Sequence, residues 1–529
     1  MISSVSAEQS KSHVYIPPDV NVRHSQIVTF LLIALALGPA LAVDIPAMLD
    51  YPNHLAIMSV LSRSGTAAAN PFYQVHWNFN TNLAMELIVP PLARLVGLVA
   101  AGKTFLLLSQ LLVVGGAMAL ERVVRGTLKF SPFAAVTFLY SLPFAWGFTN
   151  FEFGLGVALC AIATWLSLET RPLFARAIVH SVFVVILFVA HLFALGVYGA
   201  TLGLHELWRL RSGRASVRQA LLTMVVLATP AVVVLGLMPI LGHSVAGAAS
   251  ETEWRFDLKA LWIFEAMNGY SIILSYAGMG LILVACFILC LRGYLTLVGS
   301  GAWIAIGFAI LYVAVPYRLM GTAVNDVRIV IAAALILPSF VQLSLPNSVW
   351  RRTAFWTAVG CAVANVTLVW WVWLSYRSEY SALISSFGRM AKDSTVLVAV
   401  SYPRSKPGGD PTDYPSYHGP TLAVAYANAL VPSLFAYPGD RPVTLRSAYQ
   451  QYAEPDPGLL APTLPDLANV AFGAHENLPS YLQSWPSKYD YLYVVGPYAP
   501  NPIPLVLHEL DRGRGFALYQ IDRPAKANR

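Results

Sequence analysis

Long apolar runs, separated by short polar or aromatic turns, dominate the chain from residue 26 to residue 374. Runs of this kind cross ~30 Å of hydrocarbon as helices, because every backbone group must be satisfied internally there. The pattern predicts eleven transmembrane helices, over 26–43, 103–121, 131–147, 153–168, 176–190, 192–208, 219–241, 268–290, 295–313, 328–345 and 353–374. One further apolar run, LAMELIVPPLARLVGLVAA at 83–101, contains Glu86, Pro90-Pro91 and Arg94. Those residues suit an amphipathic helix lying in the interface better than a span. A second amphipathic piece covers about 50–63, and the aromatic, Asn-rich stretch FYQVHWNFNTN joins the two. The first exterior loop therefore runs from 44 to 102. Beyond residue 375 the pattern changes to Pro-, Tyr- and Asp-rich sequence without a spanning run. There TVLVAVSY, YDYLYVVG and GFALYQI read as strands and TLAVAYANAL as a helix. The expected fold class is an α-helical polytopic membrane protein with interfacial helices in its first exterior loop and a small α/β C-terminal domain. Its segments are 1–25, the transmembrane module 26–375, and the exterior domain 376–529.

Composition agrees with this reading. Of 529 residues, 57% are hydrophobic and 12% charged, about half the charge of a soluble domain. The net charge of +7 raises a nucleic-acid reading, which the placement of the charges argues against. Lys11, Arg23, Arg122, Arg125, Lys129, Arg171, Arg176, Arg209, Arg211, Arg214, Arg218, Arg292, Arg351 and Arg352 fall in alternate loops. The positive-inside rule puts that set in the cytoplasm. With an odd number of spans, the C-terminal domain then faces the periplasm of a bacterial inner (plasma) membrane. Ala40-Leu41-Ala42 resembles a cleavage site, but the long, weakly basic segment before it favours a retained first helix. Cys160, Cys286, Cys290 and Cys361 lie in apolar runs without CxxC spacing. They read as small buried hydrophobes.

Candidate chemistry gathers at the exterior helix ends. Ionisable groups at or in a membrane are costly and tend to mark function. The first loop supplies Asp44, Asp50, His54, His76 and Arg94. The turn GFTNFEF supplies Asn150 and Glu152, and His191 follows the fifth span. The 242–267 loop supplies His243, Glu251, Glu253, Arg255, Asp257 and Lys259, and VPYRLMGTAVNDVR supplies Arg318, Asn325, Asp326 and Arg328. Transfer of a sugar from a polyprenyl phosphate needs a carboxylate to deprotonate the acceptor hydroxyl. It also needs cations or hydrogen-bond donors to hold the departing phosphate. Asp50 or Asp44 suits the first role, and Arg318 and Arg328 suit the second because a guanidinium matches phosphate oxygens bidentately. Each residue also has a structural reading. Asp44 and Asp50 each suit an N-cap. His54 lies four residues after Asp50, so the two share a helical face. Arg318 and Arg328 suit pairing with Asp326. Glu152, a lone carboxylate between two spans, is harder to explain structurally. A divalent metal on Asp44, Asp50, His54, Glu152 or His191 is chemically admissible, but no spacing specifies one. The Tyr and Trp residues of the tail (Tyr414, Tyr417, Tyr481, Trp485, Tyr489, Tyr491 and Tyr493) suit core packing better than sugar stacking.

The run DYPNHLAIMSVLSRSG after the first span, the stretch VPPLARLVGL before the second, and the turn GFTNFEFGLG resemble segments of the C-type glycosyltransferase superfamily. That superfamily includes the protein O-mannosyltransferases and the lipid A aminoarabinose transferases. By this resemblance Asp50, rather than Asp44, matches the catalytic Asp, and Glu152 falls in the second acidic exterior turn. The PYRLMGTAVNDVR loop resembles a late exterior loop of bacterial members. Two features depart from the family's pattern. Tyr51 follows Asp50 where an acidic pair is frequent, and Val89 precedes Pro-Pro where Lys or His is usual. The resemblance implies an inverting transferase with a polyprenyl-phosphate-linked sugar as donor and a lipid, glycan or protein as acceptor. Catalytic roles fall to Asp50, Asp44 and Glu152. Substrate contacts fall to His54, His76, Asn150, His191, Arg255, Arg318, Asn325, Asp326 and Arg328. A polysaccharide polymerase or ligase, or a lipid-linked-glycan flippase, is the competing class. The absence of an internal repeat and the short late loops speak against both.

Overall fold

A computed structural model describes residues 22–242, 252–319, 322–401, 415–437, 439, 441–453, 461–473 and 479–522, with the side chains of 22–25 excluded. His243, Glu251 and Tyr414 lie outside the described residues. Helix α1 (Val22–Ala42) leads into an extended turn and α2 (Tyr51–Arg63). Strand β1 (Tyr73–Val75), α3 (Ala84–Val96) and α4 (Leu98–Arg125) follow. At 13 residues α3 is too short to span, and Gly97, at φ +86°, separates it from α4. The expected third span, 131–147, is two short helices, α5 (Ser131–Phe138) and α6 (Leu142–Trp146). Pro143 in the first turn of α6 has no N–H to continue the ladder from α5. Next come α7 (Thr149–Ser167), α8 (Leu173–Ala190), α9 (Leu192–Arg211), α10 (Val217–Leu241), α11 (Phe256–Glu265) and α12 (Ile272–Leu291). Then follow β2 (Leu295–Leu297), α13 (Gly301–Ala314), α14 (Asn325–Ile336) and β3 (Val341–Leu343). The expected span at 328–345 is shorter than its apolar run, because α14 gives way to a 3₁₀ turn that holds Pro338.

Six helices among the described residues are long and apolar enough to cross a membrane: α4, α7, α8, α10, α12 and a long helix, α15 (Ser348–Ser386), with its 3₁₀ extension to Arg389. Two shorter apolar helices lie over Gln26–Ala42 and Gly301–Ala314. The protein is thus a multi-pass membrane protein. Lipid offers no hydrophobic drive between helices, so close backbone packing has to hold them together. Helices α4 and α7 meet through glycines. A Cβ on Gly116 would lie 2.9 Å from the Gly156 carbonyl oxygen, and one on Gly156 would lie 2.6 Å from Leu112 Cβ.

The tail contains β4 (Val396–Val400), α16 (Ala423–Tyr426), β5 (Val443–Leu445), α17 (Leu464–Ala471) and α18 (Trp485–Lys488). It ends in β6 (Tyr491–Val495), β7 (Leu507–Arg512) and β8 (Phe516–Ile521). Four strands form one sheet in the order β4-β6-β8-β7, in which β4 and β6 are parallel and the other pairs antiparallel. All three expected strands are present. The expected helix TLAVAYANAL is one 3₁₀ turn and one helical turn, and Asn428 at φ +56° follows. Trp485, Tyr489 and Tyr493 are fully buried in packing. Helix α15 runs unbroken past residue 376 and reaches the sheet, where Ser386 Oγ and Tyr493 Oη lie 2.9 Å apart.

The tail does not stand apart from the first exterior loop. Strand β5 pairs antiparallel with β1. Asn53 of α2 donates to the Ser433 carbonyl and accepts from the Phe435 amide, at 2.8 and 2.9 Å. Tyr73 Oη accepts from the Val431 amide, and Asn70 donates to the Ala429 carbonyl. One continuous apolar core runs from the helices through α2 into this part of the tail. Replacing Gly156 by Val should push α4 and α7 apart at an overpacking cost of about 1–3 kcal/mol. Thermal unfolding in detergent should show a lower Tm for Gly156→Val than for the exposed control Gly115→Val.

Candidate active site

Asp50 sits where the chain leaves its extended turn and enters α2. Its amide donates to the Trp146 carbonyl at 3.0 Å, and that of Leu49 donates to Ala145 at 3.0 Å. Gly147 must be glycine here: φ is +96°, and a Cβ would fall 2.9 Å from the Asp50 nitrogen. Although Asp50 occupies the N-cap position, its side chain makes no capping hydrogen bond. The carboxylate is 13% exposed, and its nearest cationic candidate is His418 Nε2, 3.5 Å from Oδ1. Phe435 packs edge-on against both His418 and His54, with ring centroids 5.1 and 6.2 Å away.

Burial pushes the Asp50 carboxyl up to about 7, against the partial opposition of the Arg441 guanidinium. His54 is lowered to about 3 by burial and by the charges of Arg441 and His418. Burial also lowers His418 to about 3. Both imidazoles are therefore neutral near pH 7, and Asp50 titrates in the range where a general base works best.

Arg441 makes a 2.5 Å ion pair with Glu86 of α3. Glu86 also accepts from Asn150 at 3.0 Å, and Asn150 caps the start of α3 by accepting from the Met85 amide. Two open spaces flank this pair. A cleft of 230 Å³ is lined by Glu86, Trp77, Pro90, Pro91 and Arg94, among others. A crevice lined by His76, Trp77 and Arg441 adjoins it.

Across the 146–148 turn lies a second unusual group. Arg328 is 1% exposed, yet it has no ion pair among the described residues. Its guanidinium carbon lies 4.5, 5.3 and 5.7 Å from the ring centroids of Phe148, Phe151 and Phe193. One nitrogen approaches His191 Nε2 at 3.4 Å, another donates to the Ala323 carbonyl at 3.1 Å, and Nε has no partner. Glu152 Oε1, His54 Nδ1 and Tyr51 Oη are likewise buried without partners. Unsatisfied buried polar atoms cost roughly 1–3 kcal/mol each, and these four residues lie within the first four positions of α2, α7 and α14.

The remaining expected residues are separated from this group or occupied elsewhere. Asp44 is 82% exposed and pairs loosely with Lys103 at 3.7 Å. His76 is exposed and contributes a backbone bond to Pro442. Arg255 and Arg318 belong to a partly exposed cluster with Glu253 and Asp257. Asp326 does not pair with Arg318 or Arg328. Lys259 holds it at 3.1 Å while also donating to the Tyr312 and Val315 carbonyls. The Asn325 amide closes its own loop by donating to the Thr322 and Tyr317 carbonyls. His54 makes no side-chain hydrogen bond to Asp50; the imidazole beside the carboxylate is that of His418, 3.5 Å away. Among the described residues, no three His, Cys, Asp or Glu side chains gather to hold a metal. Sequence reasoning missed His418 and Arg441 as site residues, because they lie in a tail with no local motif.

No protein-family model matches the chain, and no curated protein does. Solved structures do match. The crystal structure of ArnT from Cupriavidus metallidurans bound to undecaprenyl phosphate superposes over 96% of this chain and 99% of that one, with TM-score 0.50 and 11% identity. The fold is ArnT-like. The same protein in its apo state covers 94% of this chain and 98% of that one, with TM-score 0.49 and 12% identity. ArnT is a C-type lipid A aminoarabinose transferase, so the fold agrees with the resemblance carried by the DYPNHLAIMSVLSRSG and VPPLARLVGL segments, with six helices rather than eleven long and apolar enough to cross a membrane among the described residues. At this identity the likeness concerns the fold, and residue roles rest on the geometry above.

The raised carboxyl has a measurable consequence. Unfolded, Asp50 returns to its ordinary value near 3.8; folded, it titrates near 7. Between those values the native state holds the extra proton, so stability falls as pH rises through that window and stays reduced above it. Asp50→Asn should therefore unfold at a higher Tm than the wild type at pH 8 and at a similar Tm at pH 4. Melting curves at both values check this.

Proposed function

We propose that the protein is an inverting glycosyltransferase that moves a sugar from a polyprenyl-phosphate carrier to a lipid, glycan or protein acceptor at the periplasmic membrane face. Asp50 is the general base. As the acceptor oxygen bonds to the anomeric carbon, its proton passes to the Asp50 carboxylate. The bond from that carbon to the phosphate oxygen breaks on the opposite face, and the electron pair leaves with the phosphate. Inversion follows from that in-line geometry. Arg328 is the group best suited to receive the phosphate, since its guanidinium is buried without an ion pair among the described residues and lined by aromatic rings. Cationic donors aimed at developing negative charge lower the barrier most when they are already in place and shielded from water. His191 lies beside the Arg328 guanidinium, and Glu152 supplies a further carboxylate with an unpartnered oxygen.

The observation that carries this reading is the pairing of a carboxyl titrating near 7 with an unpaired buried guanidinium, on either side of the 146–148 turn. The ArnT-like fold supports it, because the solved ArnT structure contains undecaprenyl phosphate. Arg318 takes no part in this proposal, as Glu253 engages it. We place the N-terminus in the cytoplasm and the tail in the periplasm, because the basic residues fall in alternate loops of the sequence.

Purified protein incubated with radiolabelled undecaprenyl-phosphate sugars and membrane extract should transfer label to an extractable product. Asp50→Asn should reduce that transfer by roughly 10²–10⁴-fold, the usual contribution of a positioned base. An Asp50→Asn protein with full activity would remove the base assignment. Arg328→Ala should weaken binding of undecaprenyl phosphate itself by about tenfold or more, as expected for loss of a charge-assisted bond. Arg328→Lys should not restore it, because an ammonium lacks the planar fork and stacks poorly on the three rings. Tryptophan fluorescence titration with undecaprenyl phosphate measures both.

A further inference from the structure

We infer that His418, contributed by the tail, positions the Asp50 carboxylate, holding Oδ1 through Nε2 and leaving Oδ2 to face the acceptor hydroxyl. This rests on Asp50 being the base. The geometry singles out His418 rather than His54. His54 follows Asp50 by one helical turn, but its side chain forms no bond to the carboxylate and its Nδ1 has no partner. His418 Nε2 approaches Oδ1 at 3.5 Å, and both side chains are only 13% exposed. Catalytic hydrogen bonds are often long in the free enzyme and tighten when substrate binds.

The protein holds His418 in place from several directions. Tyr380 of α15 donates to the Pro415 carbonyl at 3.0 Å, and Glu379 accepts from Ser416 at 2.7 Å. Thr421 Oγ1 bonds back to the His418 carbonyl at 2.7 Å. A Cβ on Gly419 would lie 2.7 Å from Leu383 Cδ1, so the turn after His418 is pressed directly onto α15. The ring is then wedged between Tyr417 and Phe435, with centroids 4.7 and 5.1 Å away. A side chain fixed this firmly beside a buried carboxylate does for Asp50 what an orienting partner does for any base: it selects one rotamer and one free oxygen. Neutral His418 has one ring N–H, and with that proton on Nε2 it donates to Oδ1. Arg441 is the charged group acting on Asp50, and His54 and His418 are its titratable neighbours.

The test reads the state of Asp50 without requiring a known substrate. Dicyclohexylcarbodiimide modifies protonated carboxyls in apolar surroundings. Its adduct on the Asp50 peptide of the full-length protein in detergent is quantified by mass spectrometry across pH. A donor on Oδ1 favours the ionised form. His418→Leu, which fills the space without a donor, should therefore extend labelling upward by about one pH unit. His418→Gln, which retains an amide donor, should keep the midpoint close to wild type. An unchanged midpoint in His418→Leu overturns the proposal, and so does an equal shift in both variants, which would mean that only packing was disturbed. If Asp50→Asn retains transfer activity, the base reading fails on its own, whatever the labelling shows. If Asp50→Asn is inactive and neither His418 variant moves the midpoint, only the role of His418 fails.

Discussion

Asp50 is enclosed by three segments that lie far apart in the chain: the start of α2, the Gly147 turn, and the tail at His418. Water is largely excluded there, and no strong cation fully compensates the charge. The carboxyl consequently titrates near neutrality. That one burial ties together most of the surrounding architecture. Gly147 has to lack a side chain for α2 to approach α6. Asn53 has to hold the 433–435 segment with both ends of its amide. Phe435 then forms an apolar wall shared by two neutral imidazoles. A carboxylate left in open water would keep an ordinary value and would need none of this.

The charges elsewhere on this face divide into those that build and those that wait. Lys259 with Asp326, and Arg441 with Glu86, are buried pairs supplemented by carbonyl or amide hydrogen bonds. Such pairs add little net stability, but removing one partner is costly, so they fix geometry firmly. The first anchors α14 to α11 and so sets the helix that carries Arg328. The second ties the tail to α3. Arg328 itself has aromatic faces in place of a carboxylate. Cation–π contact offsets part of the cost of burying a guanidinium, and the Nε of Arg328 stays without a hydrogen-bond partner among the described residues. The charges of this region thus differ in the kind of partner each has.

The lipid environment constrains the rest. Helices α4 and α7 approach backbone to backbone through Gly116 and Gly156, and α7 carries Glu152 and Asn150 at its N-terminal end. Since α7 begins two residues after Gly147, its packing depth also sets the turn that receives Asp50. Small residues deep in the bundle are in this way mechanically connected to the buried carboxyl of Asp50.

The apolar periodicity alone determined the membrane class, the short amphipathic α3 and the tail strands, since burial in lipid or in a sheet forces those patterns on any sequence. It also singled out Asp50, because a carboxylate next to a membrane helix is costly wherever the chain goes afterwards. Helix breaks at Pro143 and Pro338 were less legible, as an apolar run looks the same whether it forms one helix or two. The pairing of charges was not legible at all. Asp326 lies two residues before Arg328 but binds Lys259, 67 residues upstream; Asp50 lies four residues before His54 but meets His418. Sequence spacing specifies which groups share a helical face. Which of them meet a partner from another segment is decided when β5 pairs with β1 and the tail closes over α2, and those contacts leave no local periodicity to read.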